Sequence, residues 1–346
     1  MQQSPPSRMT PLISVLLPVH DAQKTLALSL ESIRRQRGAR WECIAVDDGS
    51  TDGSLACLRR AAALDARLRV LPRQHAGIVA SLNAGLAECQ GKYVARMDAD
   101  DVMLGDRLRS QADALERDES LAGLGCHVRI FPRSERSAGR RQYEAWLNSL
   151  QDAAQVRRDA FVECPLAHPS WMLRRSLFER YPYHARNWPE DYDLLLRLLA
   201  DGHALGVVPR RLLCWRDGAE RLSRTSPDYQ LERFTACKAH FLAHGALAPA
   251  ARYVLWGYGK TGRTLARALA EHGKHPCAIV ELHPGRLGQT IQGARVIAPL
   301  ELPSVSTPGA GPFIIASVAR PGPRAQVRQA LAALGFQELR DFVCAA

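Results

Sequence analysis

The sequence predicts an α/β protein of two domains, each built on a mostly parallel sheet covered by helices. Three observations lead there. From Ile13 onward, short apolar runs of strand length alternate with segments of helical periodicity, the pattern of parallel strands joined by crossover helices. The chain has 346 residues, more than the roughly 250 to 300 at which a single core stops growing. Near residue 245 the alternation restarts after a helical stretch, now with closely spaced glycines behind the first apolar run. The expected division is therefore one domain over 1–245 and a second over 250–346.

The elements follow in order. ISVLLPV, from Ile13, is a short apolar strand, and Gln23 to Gln36 has the periodicity of a helix. WECIAVDDGS is a second strand that ends in acids. Thr51-Asp52-Gly53-Ser54 opens a helix through about Leu64, with Asp52 or Ser50 available as its cap. LRVLPR is a third strand, Gly77 to Cys89 a third helix and KYVARMD a fourth strand. Beyond the helical stretch through His244, RYVLW reads as a strand, GYGKTG as a turn into a helix, and HPCAIVE as the next strand. GARVIAP, PFIIASV and a helix from Arg324 to Leu334 extend that unit to a sheet of about four strands.

Apolar residues make up 46% and charged residues 23%, as in ordinary globular proteins. MQQSPPSRMT lacks the apolar core of a signal peptide, and no uncharged apolar run approaches the ~18 residues that span a bilayer. The expected location is the cytoplasm, with peripheral attachment at the inner face of the membrane left open. Nine cysteines are scattered singly from Cys43 to Cys344 with no CxxC pair, which argues for reduced thiols over a zinc cluster or a disulfide framework. The net charge of +11 favours an anionic partner: a phosphorylated small molecule, nucleic acid or an acidic membrane surface. Much of it lies in short clusters (Arg133, Arg136, Arg140 and Arg141; Arg157 and Arg158; Arg174 and Arg175; Arg210 and Arg211) that read as solvated faces. No DNA- or RNA-binding signature surrounds them, so no nucleic-acid partner is expected.

In a parallel helix-covered sheet the ligand crevice lies beyond the carboxyl ends of the strands. Three features of the sequence converge there: Pro18-Val19-His20-Asp21, Asp47-Asp48-Gly49-Ser50, and Asp98-Ala99-Asp100-Asp101. A carboxylate at one strand end is explained as a helix cap or turn former. Carboxylates at two strand ends on one edge repel each other unless a cation lies between them. An all-oxygen donor set points to Mg²⁺ or Mn²⁺, which take one or two carboxylates together with substrate phosphate oxygens.

The segments ISVLLPVHD, IAVDDGSTDGS, HAGIVASLNAGLAECQGKYVARMDADD, HPSWMLRRSLFE and PEDYDLLLRL, in this order and at these spacings, resemble a family 2 glycosyltransferase over residues 12 to about 220. The resemblance implies a domain of the GT-A type, the fold of nucleotide-diphospho-sugar transferases, with a mostly parallel, mixed sheet. It implies inverting transfer of a sugar from a nucleotide diphospho-sugar to a hydroxyl acceptor. The sequence does not name that acceptor; the basic surface of the chain leaves room for a saccharide or lipid-linked one at the membrane, as in cell-envelope polysaccharide assembly. The resemblance further implies that Asp48 hydrogen-bonds the base, commonly uracil, and that Asp98 and Asp100 bind the metal and diphosphate. Pro18, His20, Gly77 and Asn83 match positions on the donor side, and Gly85 matches the same helix. Where the family often has Tyr-Asn this chain has His20-Asp21, and the role of Asp21 stays open.

Gly77 either simply starts a helix or opens one whose first N–H groups face the diphosphate. The chemistry also requires a group to take the proton of the acceptor hydroxyl. By resemblance that base is Asp191, with Glu190 the alternative and Asp193 a supporting or capping residue; the other reading is that these acids stabilise a helix N-terminus. His168 matches an acceptor-side position, and is otherwise a loop histidine beside Pro169.

In the second domain Gly257, Gly259 and Gly262 form G-x-G-x-x-G between a strand and a helix, with Glu281 nineteen residues beyond the last glycine. That is the context of a dinucleotide-binding, Rossmann-like βαβ unit, with an acid placed to hold a ribose. The alternative is that the glycines serve close helix–strand packing alone. The unit loosely resembles nucleotide-binding end domains appended to some bacterial sugar-modifying enzymes, and NAD, another nucleotide, a partner protein or no ligand all remain open for it. Two other functions compete with the transferase. An NAD-dependent oxidoreductase lacks a Tyr-Lys or His-Asp arrangement after the glycine turn, and a non-catalytic nucleotide- or sugar-binding protein is disfavoured by the intact Asp98, Asp100 and Asp191.

Overall fold

The computed structural model describes residues 12–133, 137–218 and 221–346. The N-terminal segment weighed against a signal peptide, through residue 11, and Arg136 of the first basic cluster lie outside the described residues. The chain runs through β1 (Ile13–Val19), α1 (Leu26–Arg34), β2 (Trp41–Asp48), α2 (Ser54–Leu64), β3 (Leu68–Arg73), α3 (Ile78–Glu88) and β4 (Tyr93–Arg96). Next come β5 (Val102–Met103), α4 (Arg107–Arg117), β6 (Leu121–Phe131), α5 (Ala138–Leu147), α6 (Ala153–Asp159), β7 (Met172–Arg174) and α7 (Leu177–Arg180). After α8 (Glu190–Ala200), β8 (Ala204–Arg216), α9 (Leu222–Thr225) and α10 (Leu231–His244), a second series begins. It comprises β9 (Arg252–Trp256), α11 (Lys260–Ala270), β10 (His275–Val280), β11 (Thr290–Ile291), β12 (Ala294–Ile297), β13 (Ile314–Ala316), α12 (Pro321–Ala333) and β14 (Phe342–Cys344).

Two compact units result, and they do not divide at residue 245. The first takes the described residues up to 156 with 166–185 and 202–218; the second takes 157–165, 186–201 and the described residues after 218. Packing explains the difference. Helix α10 buries Ala239, Leu242 and Ala243 in one cluster with Tyr253, Leu255, Leu265 and Leu269, so it belongs to the core of the strands that follow it. The Tyr192 hydroxyl of α8 donates to the Ala160 carbonyl at 2.7 Å and Arg157 donates to the Leu199 carbonyl at 3.0 Å, holding 157–165 to 186–201.

The first unit carries an eight-stranded sheet in the order β3-β2-β1-β4-β7-β6-β8-β5. β3, β2, β1 and β4 are mutually parallel, β7 is antiparallel to both β4 and β6, β6 runs parallel to β8, and β5 is antiparallel to β8. Every residue of β1 and β2 is buried, as expected of parallel strands covered on both faces. Pro18 is tolerated inside β1 because pairing with β4 ends at Leu16–Arg96, so its missing N–H falls beyond the ladder. On α3, a Cβ at Gly85 would lie 2.3 Å from Leu16 Cδ1, so the helix reaches the sheet closely only because that residue is glycine.

The second unit carries a six-stranded sheet in the order β11-β12-β10-β9-β13-β14, parallel except for β11. Its apolar residues form a cluster on each face of the sheet. All nine cysteines are free thiols. Burial pushes the Cys43 and Cys237 thiols well up and that of Cys89 up to about 12, which leaves them unreactive. No helix among the described residues is long and apolar enough to cross a membrane.

Candidate active site

Three strand ends of the first unit build the candidate site. After β1 and β2 the two loops are tied together. Asp21 Oδ1 accepts from the Thr51 and Asp52 amides at 2.8 and 3.3 Å, while the Asp21 amide donates to Ser50 Oγ at 3.1 Å. Asp21 holds φ +45°, a conformation that Asp tolerates better than most residues, so its task is to lock this turn. His20, exposed, stacks on His75 with ring centroids 4.3 Å apart, and the Nδ1 atoms of the two rings lie 2.9 and 3.1 Å from the Asp48 carbonyl oxygen.

Asp48 is 4% exposed at the end of β2. Its carboxylate accepts from the Ala76 and Gly77 amides at 3.0 and 2.9 Å, and His75 Nδ1 stands 2.9 Å from Oδ2. Burial alone raises its pKa; the Ala76 and Gly77 amide donors, with Ser81 and His75 acting in the same direction, outweigh that and hold the carboxyl below its ordinary range. Gly77 has φ +86° and precedes α3. Its N–H is aimed at Asp48, so this helix start orients the carboxylate.

At the end of β4, oxygens of Asp98, Asp100 and Asp101 all lie within 4.8 Å of one another. Arg96, 5% exposed, pairs with Asp98 at 2.7 Å. Behind it the fully buried Arg107 donates to the Arg96 carbonyl at 2.9 Å and to Gln111 Oε1 at 2.9 Å. Helix α1 fixes the loop through Ser29 Oγ to the Asp98 carbonyl and Thr25 Oγ1 to the Ala99 carbonyl, each 3.1 Å. Strand β8 closes it: the Arg216 amide donates to Asp101 Oδ1 at 2.7 Å and its Nε to the Asp100 carbonyl at 2.8 Å. Asp101, completely buried, was not among the expected ligands; the only signal for it was its place in the run DADD.

Two expected residues have other partners. Asn83 is given over to the chain around Tyr183: its amide donates to the Tyr183 carbonyl at 2.9 Å and accepts from the Tyr183 amide at 3.0 Å. His168, expected on the acceptor side, is 7% exposed, with Nε2 2.8 Å from the Tyr183 hydroxyl and its ring edge-on to Trp171. Burial first, then Arg96, lowers its pKa well below the ordinary imidazole value, so it is neutral. Pro18 lies buried within β1, next to its last residue.

In the second unit the acids Glu190, Asp191 and Asp193 open α8, in the first turn where the helix dipole favours them. Asp193 is fully buried and accepts from Arg197 Nε at 2.7 Å and Trp188 Nε1 at 3.0 Å, while Glu190 is 4% exposed and accepts from the Tyr229 hydroxyl. Asp191 is the partly exposed member, with Oδ1 receiving the Tyr192 amide at 2.7 Å. In the glycine turn after β9, a Cβ at Gly262 would lie 2.1 Å from the Gly257 carbonyl oxygen and 2.6 Å from Ser317 Oγ, whereas Gly259 has open space. Gly262 thus serves close packing. Glu281 pairs with Arg286 at 3.0 Å, and the same guanidinium nitrogen donates to the Tyr258 carbonyl at 3.3 Å.

The Glycosyl transferase family 2 profile matches residues 14–182. The chain is 28% identical over 239 residues to the protein named “Putative glycosyltransferase EpsE” of Bacillus subtilis (strain 168), covering 66% of this chain and 82% of EpsE. Among solved structures it is similar to TarS residues 1–349 of S. aureus in complex with UDP-GlcNAc, at TM-score 0.54 and 15% identity, over 75% of this chain and 72% of that one. It is also similar to the mannosyltransferase PcManGT of Pyrobaculum calidifontis in complex with GDP-Man and Mn²⁺, at TM-score 0.52 and 18% identity, over 78% and 72%. At these identities the structural likeness shows the fold, GT-A-like with a second, smaller sheet added. Residues 14–182, just under half of this chain, are thus similar to family 2 glycosyltransferases.

Proposed function

We propose that the protein transfers a sugar from a nucleotide diphospho-sugar, a UDP-sugar in the first instance, to a hydroxyl of a saccharide or lipid-linked acceptor, with inversion at the anomeric carbon. The observation that carries this reading is the carboxylate cluster at the end of β4, whose oxygens lie within 4.8 Å of one another. Carboxylates this close repel one another, a repulsion that Arg96 offsets at Asp98, and their all-oxygen donor set fits Mg²⁺ or Mn²⁺. Asp98 and Asp100 would hold the ion, with Asp101 beneath them. When bound, it supplies Lewis-acid stabilisation of the charge on the diphosphate leaving group.

The chain's own groups do the rest. Asp48, its oxygens oriented by the Ala76 and Gly77 amides, retains lone pairs for the N–H of a base. His20 and His75 border it. Arg96 positions Asp98, and α1 holds the loop through Thr25 and Ser29. Asp191, the partly exposed acid of its trio, takes the acceptor proton as the hydroxyl attacks. That role rests on its exposure and on the resemblance. Similarity to structures holding UDP-GlcNAc and GDP-Man with Mn²⁺ supports a nucleotide-sugar donor. The net charge of +11 suits an acceptor or surface that is anionic, at the cytoplasmic face of a membrane.

In the C-terminal unit we read a nucleotide-binding module without chemistry of its own. The Gly257 amide is taken by the Val280 carbonyl at 2.9 Å, so the N–H groups on offer are those of the first turn of α11 beyond Gly259, and Arg286 neutralises Glu281. The test of both readings is a melting-temperature titration with UDP, GDP, dTDP, CMP and NAD, with and without Mn²⁺. Stabilisation by one nucleoside diphosphate that depends on Mn²⁺ and is lost in Asp100→Ala is the expected result. A response to NAD alone, with none to any nucleotide plus metal, overturns the donor-site reading.

A further inference from the structure

Three histidines outside the carboxylate site converge at one end of the second unit. His240 and His244 are four residues apart in the last turn of α10, a spacing that puts both side chains on one face of a helix. His272 lies just past α11, in a turn fixed by the Gly273 amide donating to the Ala270 carbonyl at 2.9 Å and by the positive φ of Gly273. One imidazole nitrogen from each lies within 4.8 Å of the other two, and the ring centroids are 4.4, 5.4 and 5.7 Å apart. Packing of Leu242 and Ala243 with Leu265, Ala266 and Leu269 in one apolar cluster brings the two helices together and thereby the third histidine to the pair.

We propose that His240, His244 and His272 form a binding site for a divalent transition-metal ion of the Zn²⁺ class, which staples the carboxyl-terminal ends of α10 and α11 to each other. Three neutral imidazoles are a donor set for Zn²⁺, Co²⁺ or Ni²⁺ and a poor one for Mg²⁺ or Mn²⁺, which prefer oxygen. The site is therefore chemically separate from the carboxylates of the first unit. Its second layer is partly built: His244 Nδ1 lies 2.8 Å from the His240 carbonyl oxygen, one turn back, which makes Nδ1 the protonated nitrogen and directs the Nε2 lone pair outward. Trp188 packs against the His240 ring at 5.4 Å. Two helix C-termini end at the cluster, and their partial negative charges favour a cation there.

Charges of both signs act on the cluster: Arg186 and Asp193, the latter held by Arg197, act on His240, and Glu271 acts on His272. Burial, then the neighbouring imidazoles, depresses the pKa of His240 and of His272, which keeps both lone pairs available near neutrality. Zn–N bonds of ~2.0–2.1 Å require the three nitrogens to close to about 3.4 Å apart, a movement within the reach of surface χ angles. Three protein ligands leave a fourth position for water or an external anion.

The test uses the full chain stripped with a chelator and titrated with Co²⁺ and Zn²⁺. One equivalent of Co²⁺ should give the intense visible bands of a four- or five-coordinate nitrogen-rich site, Zn²⁺ should displace it, and Zn²⁺ should raise the melting temperature where Mg²⁺ does not. His244→Ala and His272→Gln should each weaken Zn²⁺ binding by more than about 100-fold, since loss even of an outer-shell partner weakens such sites 10–100-fold. Asp100→Ala and His75→Ala should leave it intact. Retention of Co²⁺ bands in both histidine variants, or their loss in His75→Ala, overturns the proposal, the latter by placing the ion at His20, Asp48 and His75, whose ligand atoms also cluster. A second measurement needs no variant: in the wild type, Zn²⁺ should protect His240, His244 and His272 from diethyl pyrocarbonate, read by mass spectrometry. Unchanged modification of all three also sinks it. Neither outcome depends on glycosyl transfer.

Discussion

The two sheets share a connection order and differ in what ends their strands. In the first unit the order β3-β2-β1-β4 puts the earliest strand between the second and the fourth; in the second unit β12-β10-β9-β13 does the same. Each therefore has a crevice where the chain order reverses, beyond the carboxyl ends of two central strands. In the first unit those ends carry His20 and Asp21 after β1 and Asp98, Asp100 and Asp101 after β4, with Asp48 at the end of the neighbouring β2. In the second they carry Gly257, Gly259 and Lys260 after β9, and Ser317 and Arg320 after β13. Topology decides where a ligand goes, and the strand-end residues decide what charge it meets. A phosphate approaches backbone N–H groups and a lysine directly, whereas it approaches three carboxylates only with a cation between them.

The largest effect should follow from removing the acid side of this contrast. Asp100→Ala should lower metal-dependent transfer by about 10³-fold or more, on the order of 4 kcal/mol of transition-state stabilisation, with an unchanged melting temperature because Asp100 is partly exposed. The matching change on the basic side, Lys260→Ala, removes an exposed cation of the second unit and should leave turnover within about twofold. Equal losses from the two would erase the division of labour. Next in size, Asp191→Asn should reduce transfer by about 10²- to 10⁴-fold while donor binding, measured calorimetrically, stays put. Glu190→Gln should act mainly on stability, since that side chain is buried against Tyr229. Near wild-type transfer in Asp191→Asn would give the base to another group.

What the sequence made legible was local. The first four strands and three helices follow from apolar periodicity, and the acids after β2 and β4 stand out because they break apolar runs. The glycine turn of the second unit reads the same way. Where long-range contacts decide, the sequence was silent. Asp101 is buried because the amide of Arg216, 115 positions later, closes on it. Asn83 looks like a donor-side residue until Tyr183, 100 positions on, takes both ends of its amide. β5 has two residues and β14 three, too short for any periodicity. The membership of α8 and α10 in the second unit depends on which apolar surfaces they meet, and His272 joins His240 and His244 only through helix packing.

The glycines of the second unit offer a stability test of intermediate size. Gly262→Ala forces a Cβ to 2.1 Å from a backbone oxygen, which no side-chain rotation relieves, so it should destabilise by about 1–3 kcal/mol in urea unfolding. Gly259→Ala meets nothing and has φ −72°, so a change within about 0.5 kcal/mol is expected. Gly85→Ala in the first unit presses on the ends of Leu16 and Val46, which can shift, and should fall between the two. If Gly259→Ala proved as damaging as Gly262→Ala, the motif would be a packing device at every position and the second unit would lose its claim to a phosphate-facing turn.

The smallest effect sets histidines of the two units against each other. His168 is buried and its pKa is well below that of an exposed imidazole, burial being the larger cause and Arg96 the second. The unfolded chain therefore binds a proton below about pH 6.5 while the folded chain does not. Stability attributable to His168 is complete above that pH and declines as the pH falls, by up to about 1.4 kcal/mol per pH unit, until the folded pKa is reached. Asp48 has the opposite chemistry but the same sign: its depressed pKa contributes stability that persists until the pH falls through the carboxylate range, so between pH 7 and 5 it is silent. His168→Gln, which keeps a polar partner for the Tyr183 hydroxyl, should flatten the fall in melting temperature over that interval. His272→Gln should flatten it less, because His272 is partly exposed and its pKa is lowered to a smaller degree. A larger change from His272 than from His168 would mean that the three-histidine cluster, not the buried core of the first unit, controls the acid sensitivity of the fold.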